Sequence, residues 1–305
     1  MEVLYWLEGL RTPVLDQFFS LVTHLGSETV FLAVAIIVFW CVSKSGGYYL
    51  LTVGFFGTAI NQFLKLVCRV PRPWVRDPNF TIVESAREAA GGYSFPSGHT
   101  QNAMSVLGCP ARFTKKTWLR AVCVVLILLV GLSRMYLGVH TPADVGVSLV
   151  IGCVLVFGVY PVFRKSGDNP ALMTGILAVL VAVAVAFVLF VELNVWSADV
   201  DGHNLASGTK NAYLLLGCAV GVLLSSVVER KYVHFDTRGA WWVQVVKTAV
   251  GLALVLGLKA GLKPVLNLVF NGHQVATAVR YFLLVVFAVC VWPLTFRWFA
   301  GLKKK

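Results

Sequence analysis

The sequence predicts an all-α, polytopic membrane protein, a bundle of about nine transmembrane helices. Of its 305 residues, 58% are hydrophobic and 13% are charged, whereas soluble domains are about 25% charged. Apolar runs recur along the whole chain, and many approach the roughly 20 residues that cross a bilayer as a helix. Because an open sheet cannot satisfy its backbone hydrogen bonds in lipid, these runs are expected to be helical.

The chain begins with a segment of a different kind, residues 1–27. Its apolar residues recur at helical spacing between Val3 and Val22. This pattern indicates either an amphipathic helix in the membrane interface, broken near Pro13, or a lead-in helix packed on the bundle. No cleavable signal peptide is expected, since acids stand where a signal peptide would carry cations.

Nine spans are expected after this segment. The third is weakly apolar and is predicted to be shielded by its neighbours, and the eighth carries Lys247, which is expected to snorkel towards the nearer membrane surface. The predicted positions are 28–43, 47–68, 97–113, 117–138, 142–163, 171–192, 212–229, 241–262 and 276–297.

The basic residues predict the orientation of the spans. One set of loops holds most of them: Lys44, Arg112, Lys115, Lys116, Arg120, Arg164, Lys165, Arg230, Lys231, Arg238, Arg297 and Lys303–Lys305. The positive-inside rule assigns these loops to the cytoplasm, with the N-terminus outside and the C-terminus inside. The net charge of +12 is then a consequence of topology, and no nucleic-acid partner is expected. A bacterial plasma membrane is the expected location.

Three short segments combine residue types that break phosphate esters. They are KLVCRVPRP at 65–73, PSGH at 96–99 and SRMYLGVHTPAD at 133–144. Each lies at the end of a predicted span, and the predicted topology brings all three to the outer face. Cations for the phosphate oxygens, a nucleophile, an acid and an orienting carboxylate would therefore meet at one membrane surface.

His140 and Asp144 are the candidate attacking pair. Thr141 and Pro142 read as the cap and first residue of a helix, so Asp144 is by itself explained as a capping acid. However, His140 directly precedes this cap. A carboxylate on one ring nitrogen fixes the tautomer and leaves the other nitrogen free to attack.

The PSGH segment also reads as a helix start, with Ser97 as N-cap. Free N–H groups in the first turn attract an anion, and Gly98 allows close backbone approach. His99 is then placed to protonate a leaving oxygen. The alternative is a simple turn.

Lys65, Arg72 and Arg134 are candidate phosphate-binding cations. Fixed cations stabilise the charge of a phosphoryl-transfer transition state. The alternative for Lys65 and Arg72 is snorkelling to lipid head groups.

These motifs resemble the type-2 phosphatidate phosphatase superfamily, which includes vanadium haloperoxidases, bacterial acid phosphatases and microsomal glucose-6-phosphatase. Its signature, K-x6-RP, PSGH and SR-x5-H-x3-D, is matched at every fixed position. The resemblance implies that His140 forms a phosphohistidine, that Asp144 orients it and that His99 protonates the leaving alkoxide. It also implies a phosphate site without metal or cofactor, formed by Lys65, Arg72, Ser97, Gly98 and Arg134.

The resemblance covers roughly residues 1–192, and it predicts a six-span catalytic core at 28–192 followed by a three-span extension at 193–305. The expected activity is hydrolysis of a lipid phosphate or pyrophosphate monoester. Candidate substrates are undecaprenyl pyrophosphate, phosphatidate, phosphatidylglycerophosphate and a sphingoid-base phosphate. A phosphotransferase, a sugar-phosphate phosphatase and a lipid transporter or scrambler remain alternatives. Segment 74–95 either shapes the substrate entrance or is a solvated loop, and the oligomeric state is open.

Overall fold

A computed structural model describes residues 1–88, 90–166, 169–198 and 200–301, and every regular element within these ranges is helical. The all-α prediction is therefore confirmed for the described chain. The predicted tail lysines, Lys303–Lys305, lie outside the described residues.

The helices follow the apolar runs of the sequence. In chain order they are α1 (Glu2–Glu8), α2 (Pro13–Thr23), α3 (Glu28–Ile37), α4 (Lys44–Cys68), α5 (Pro73–Arg76), α6 (Gly98–Ala103), α7 (Cys109–Phe113), α8 (Thr117–Tyr136), α9 (Pro142–Ser166), α10 (Pro170–Leu193), α11 (Gly202–Val228), α12 (Trp241–Val269), α13 (Val275–Val286), α14 (Trp292–Leu294) and α15 (Phe296–Gly301). Short π-helical turns extend α3, α11 and α13, and another, Met104–Gly108, joins α6 to α7.

Seven helical segments are long and apolar enough to cross a membrane. They are Lys44–Arg76, Thr117–Tyr136, Pro142–Ser166, Pro170–Leu193, Gly202–Val233, Trp241–Val269 and Val275–Phe299. The helical segments Pro13–Gly26 and Glu28–Val42 bend by 51° at their junction. If they form one broken span, the count of candidate spans rises to eight. Among the described residues the predicted count of about nine is therefore not reached.

The predicted first and third spans are absent from the seven, and the first is counted only as part of the bent pair. Residues 98–113 are helical, but the run starts at the Ser97 cap and ends where the backbone becomes extended at Thr114. It is shorter than the roughly 20 residues that cross a bilayer as a helix. Its first turns carry polar groups such as Gln101, which is buried, so the segment contributes to the protein interior rather than spanning lipid by itself.

The described chain forms two compact units that alternate along the sequence. The first comprises Met1–Leu32, Val53–Tyr160 and Val195–Gly208, and it contains every predicted site residue. The second comprises Ala33–Thr52, Pro161–Asn194 and the described chain from Thr209 onwards. The predicted division at 1–27, 28–192 and 193–305 stays a prediction.

Within the first unit, the N-terminal segment packs on the end of α8. The Tyr136 hydroxyl donates to Asp16 Oδ1 at 2.8 Å, and Arg11 Nε donates to the Tyr136 carbonyl at 3.1 Å. Val14 and Leu21 of α2 remain exposed. The segment is therefore packed against a helix of the bundle, as one of the two alternatives predicts, and its place in a membrane interface stays a prediction.

The second unit has a buried polar centre at Lys247. Its Nζ donates to the Trp40 carbonyl at 2.9 Å and lies 4.4 Å from the centre of the Phe296 ring. Trp292 Nε1 donates to the Lys247 carbonyl at 3.2 Å. The expected snorkelling is therefore wrong, because this lysine is buried and satisfied inside its own unit.

Candidate active site

The eight predicted site residues gather at one end of the first unit. They come from the end of α4, the start of α5, the start of α6, the end of α8 and the loop into α9. Gly98 and His99 are half-buried, and the other six are buried: Lys65, Arg72, Ser97, Arg134, His140 and Asp144. The burial of Lys65 and Arg72 excludes the snorkelling alternative for both.

His140 is held at both ring nitrogens. Arg72 Nη1 lies 2.9 Å from Nε2, and Asp144 Oδ2 lies 3.3 Å from Nδ1. Because a guanidinium can only donate, Nε2 is the acceptor, and the ring proton is on Nδ1, directed at the carboxylate. The lone pair of His140 Nε2 therefore faces Arg72.

Asp144 has more partners than a capping acid requires. Its Oδ2 accepts from Ser94 Oγ at 2.5 Å and from the Thr141 backbone N–H at 2.8 Å, in addition to His140. Its own N–H donates to Thr141 Oγ1 at 3.3 Å. The capping and orienting roles thus coexist in one side chain.

The surroundings keep His140 neutral. Its pKa is lowered well below the ordinary value of 6.5, first by burial and then by the positive charges of Arg72, Arg134 and Lys65. Both effects penalise the imidazolium form. The ring is consequently in its nucleophilic form near neutral pH.

Backbone carbonyls position Arg72 and Lys65. Arg72 Nε donates to the Gly92 carbonyl at 3.0 Å and Nη2 to the Gly91 carbonyl at 2.8 Å, while Lys65 Nζ donates to the Tyr93 carbonyl. These contacts fix the two cations without neutralising them. The end of segment 74–95 is thereby tied to the site.

Arg134 is a buried cation with donors to spare. Its Nη1 donates to Thr23 Oγ1 at 2.8 Å, whereas Nε and Nη2 have no hydrogen-bond partner among the described residues. Leaving a buried charged donor unsatisfied is costly. An anion bound beside Arg134 would satisfy both nitrogens.

The PSGH turn is attached to the start of α9. The Ser97 N–H donates to the Asp144 carbonyl at 3.1 Å. Ser97 Oγ caps α6 by accepting from the Thr100 N–H at 3.4 Å, and it also accepts from Thr100 Oγ1 at 2.9 Å. The Ser97 hydroxyl proton therefore remains available to an anion. At Gly98 an added Cβ would meet only Asn61 Oδ1, at 3.8 Å, so the backbone there stays accessible.

Four residues that contribute to this arrangement were not identified from the sequence. Ser94 donates to Asp144, Thr23 accepts from Arg134, and Asn61 Nδ2 donates to the Pro96 carbonyl at 3.2 Å. The fourth, Gly26, lies so close to the His99 carbonyl that a Cβ would come within 2.3 Å of its oxygen. A polar residue two positions before PSGH was a usable signal for Ser94.

In the part of the chain that the structure describes, no cluster of three or more His, Cys, Asp or Glu side chains is suitable for a metal ion. The expectation of a metal-independent reaction stays a prediction, to be tested with chelators.

Fold and site together define a polytopic membrane protein with a buried His–Asp pair among fixed cations. Comparison with protein families identifies this class. The PAP2 superfamily model matches residues 45–168, and a model described as the transmembrane extension of PAP2 superfamily phosphatases matches residues 213–305. The chain belongs to the PAP2 superfamily and is a phosphatase.

Individual relatives support this assignment. The chain is 30% identical to phosphatidylglycerophosphatase B of Bacillus subtilis over 161 residues, 48% of this chain and 75% of the relative. It is 31% identical to undecaprenyl-diphosphatase BcrC of the same organism over 163 residues, 51% of this chain and 80% of the relative. It is 23% identical to a dihydrosphingosine 1-phosphate phosphatase of Schizosaccharomyces pombe over 266 residues, 73% of this chain and 62% of the relative. No solved structure matches the chain.

Proposed function

We propose that the protein hydrolyses a lipid phosphate or pyrophosphate monoester, without metal, through a phosphohistidine at His140. The observation that carries this proposal is the orientation of one imidazole. Asp144 accepts a hydrogen bond from Nδ1–H, and the lone pair of Nε2 is directed at Arg72. In the free protein the Nε2 lone pair accepts from Arg72. When substrate binds, the phosphorus atom takes the place of this N–H, and the lone pair is then aimed at phosphorus.

The reaction has two steps. Arg72 Nη1 first moves from Nε2 to a phosphate oxygen, and Nε2 attacks phosphorus in line with the ester oxygen. The P–O bond breaks as His99 gives its proton to the departing alkoxide. Water, deprotonated by His99, then attacks phosphorus, the P–N bond breaks, and inorganic phosphate leaves.

The cations supply the electrostatic part of catalysis. Lys65, Arg72 and Arg134 surround the position that the equatorial oxygens would occupy, and the hydroxyl of Ser97 and the backbone at Gly98 add donors. Preorganised donors of this kind are worth about 10²- to 10³-fold in rate each. Because they are held by backbone carbonyls and Thr23, little reorganisation is needed at the transition state.

The lipid nature of the substrate is inferred from two facts. The relatives are named for phosphatidylglycerophosphate, undecaprenyl diphosphate and dihydrosphingosine 1-phosphate, all phosphorylated lipids. In addition, Lys65, Arg134 and Asp144 lie in the end turns of α4, α8 and α9, where a lipid head group would arrive from the leaflet. The candidates are undecaprenyl pyrophosphate, phosphatidate, phosphatidylglycerophosphate and a sphingoid-base phosphate. Residues 28–192 are proposed as the catalytic core.

The site is proposed to face the exterior of a bacterial plasma membrane, with the N-terminus outside and the C-terminus inside. On α8, Arg134 lies in the last turn, while Lys115, Lys116 and Arg120 lie at the opposite end. The catalytic cations are left out of this count. By the positive-inside rule, the end of α8 that carries Lys115, Lys116 and Arg120 is then cytoplasmic.

Trapping the intermediate tests the mechanism. Wild-type protein is mixed with a ³²P-labelled lipid phosphate and quenched in alkali, which preserves phosphohistidine. We expect label on the wild type, none on His140→Ala, and increased label on His99→Ala when a substrate with a good leaving group is used. Turnover by His140→Ala, or loss of activity with chelator, would contradict the proposal.

A further inference from the structure

A cavity in the first unit lies away from the catalytic cluster. It has a volume of about 420 Å³ and runs between α8 and α9, above the π-helical turn Met104–Gly108. This volume is within the roughly 300–1,000 Å³ of ordinary ligand sites. Its walls are apolar, and they include Ile127, Leu128, Val156 and Phe157. The cavity is an open groove, because Leu128 and Phe157 are exposed.

Two arginines close one end of this groove, Arg112 at the end of α7 and Arg120 in the first turn of α8. The guanidinium carbon of Arg112 lies 4.0 Å from the centre of the Tyr160 ring, and its buried Nε has no hydrogen-bond partner among the described residues. Arg120 Nε donates to the Thr114 carbonyl at 2.9 Å. Both guanidinium groups are thus held in place while keeping N–H donors for a ligand.

The charge at this end of the groove is strongly positive. Residues 109–120, CPARFTKKTWLR, contain four cations and no acid. Trp118 in the same stretch is exposed, and tryptophan is enriched at the membrane–water interface, at the level of the lipid head groups. The anion that fits is a phosphate, which guanidinium groups bind in a bidentate manner.

The groove is separate from the catalytic site. Arg120 and the catalytic Arg134 are both on α8, fourteen positions apart, so about 21 Å separates them along the helix axis. The two arginines therefore lie near opposite ends of α8. A phosphate group held at Arg134 cannot also contact Arg120.

We propose that this groove binds one anionic phospholipid from the leaflet opposite the catalytic cluster. One acyl chain lies between α8 and α9, and Arg112 and Arg120 hold the phosphate. An apolar groove ended by two arginines matches the two parts of such a lipid. A zwitterionic phospholipid carries its own cation, which the positive stretch 109–120 repels.

Native mass spectrometry of the purified full-length protein tests this proposal, with dioleoyl phosphatidylglycerol and dioleoyl phosphatidylcholine as probes. We expect wild type to retain one phosphatidylglycerol at concentrations where phosphatidylcholine is lost. The double variant Arg112→Gln/Arg120→Gln should weaken this retention about tenfold or more, because it removes charge-assisted hydrogen bonds. The matched control, Lys115→Gln/Lys116→Gln, removes the same charge outside the groove and should retain the lipid.

A second variant tests the groove itself. Leu128→Trp fills the apolar part without touching the arginines, and it should also weaken phosphatidylglycerol retention. All variants should keep wild-type hydrolysis of a short-chain phosphate, because none alters the catalytic cluster. Equal retention of the two lipids by wild type, equal losses in the arginine and lysine variants, or full retention by Leu128→Trp would overturn the proposal.

Discussion

Ser94 gives the sharpest test of how the His–Asp pair is held. Its hydroxyl donates to Asp144 Oδ2 at 2.5 Å, and both residues are buried. Hydrogen bonds to charged groups contribute about 1.5–3 kcal/mol. If this whole contribution orients His140 in the transition state, Ser94→Ala lowers kcat about 10- to 150-fold. KM should change little, because Ser94 is not among the groups proposed to bind phosphate.

Steady-state hydrolysis of a short-chain lipid phosphate in detergent measures this effect. Ser105→Ala is the matched control, since Ser105 is equally buried but donates only within its helix, to the Gln101 carbonyl at 3.3 Å. Thermal unfolding of both variants separates positioning from folding. A kcat for Ser94→Ala within twofold of wild type, or an equal loss in the control, would refute the reasoning.

Three further predictions follow from the site. The lowered pKa of His140 keeps its ring neutral at pH 6.5, so the acid limb of the kcat/KM profile, corrected for substrate ionisation, should have its midpoint below that value; an acid-limb midpoint at or above pH 6.5 would contradict this. Gly26→Ala should destabilise the protein by about 1–3 kcal/mol, because the added Cβ would crowd the His99 carbonyl. Gly158→Ala is the control, since an added Cβ there has nothing within 4 Å and should not destabilise the protein. Calorimetry compares the thermal unfolding of the two variants. Cys68 is exposed. In a variant that keeps it as the sole cysteine, Cys68 should react with an impermeant maleimide on intact cells, and labelling only after permeabilisation would contradict the proposed orientation.

Much of the site could be predicted because its residues lie at helix ends. A Thr-Pro pair before Asp144 and a Ser-Gly pair before His99 mark helix starts, and loop charge assigns those starts to one face. The structure brings these ends together through the Ser97 N–H and the Asp144 carbonyl.

The supporting residues could not be found in the same way. Thr23 and Arg134 are 111 positions apart, and a lone threonine in a lead-in helix carries no local signal. The contact of Ser94 depends on the path of segment 74–95, which has no periodicity to read. Lys247 was misjudged because its partners are a backbone carbonyl and an aromatic ring contributed by distant helices.

The carbonyl groups that hold Arg72 and Lys65 have a consequence for sequence change in this enzyme. Main-chain oxygens at positions 91–93 make those contacts, so the side chains there are not needed for them. Gly92 is the exception, because its φ of +75° favours glycine. The exposed positions of segment 74–95, which exclude the buried Ser94, can therefore be mutated while these main-chain contacts to Arg72 and Lys65 stay the same. This makes them the natural target for altering substrate preference by directed evolution.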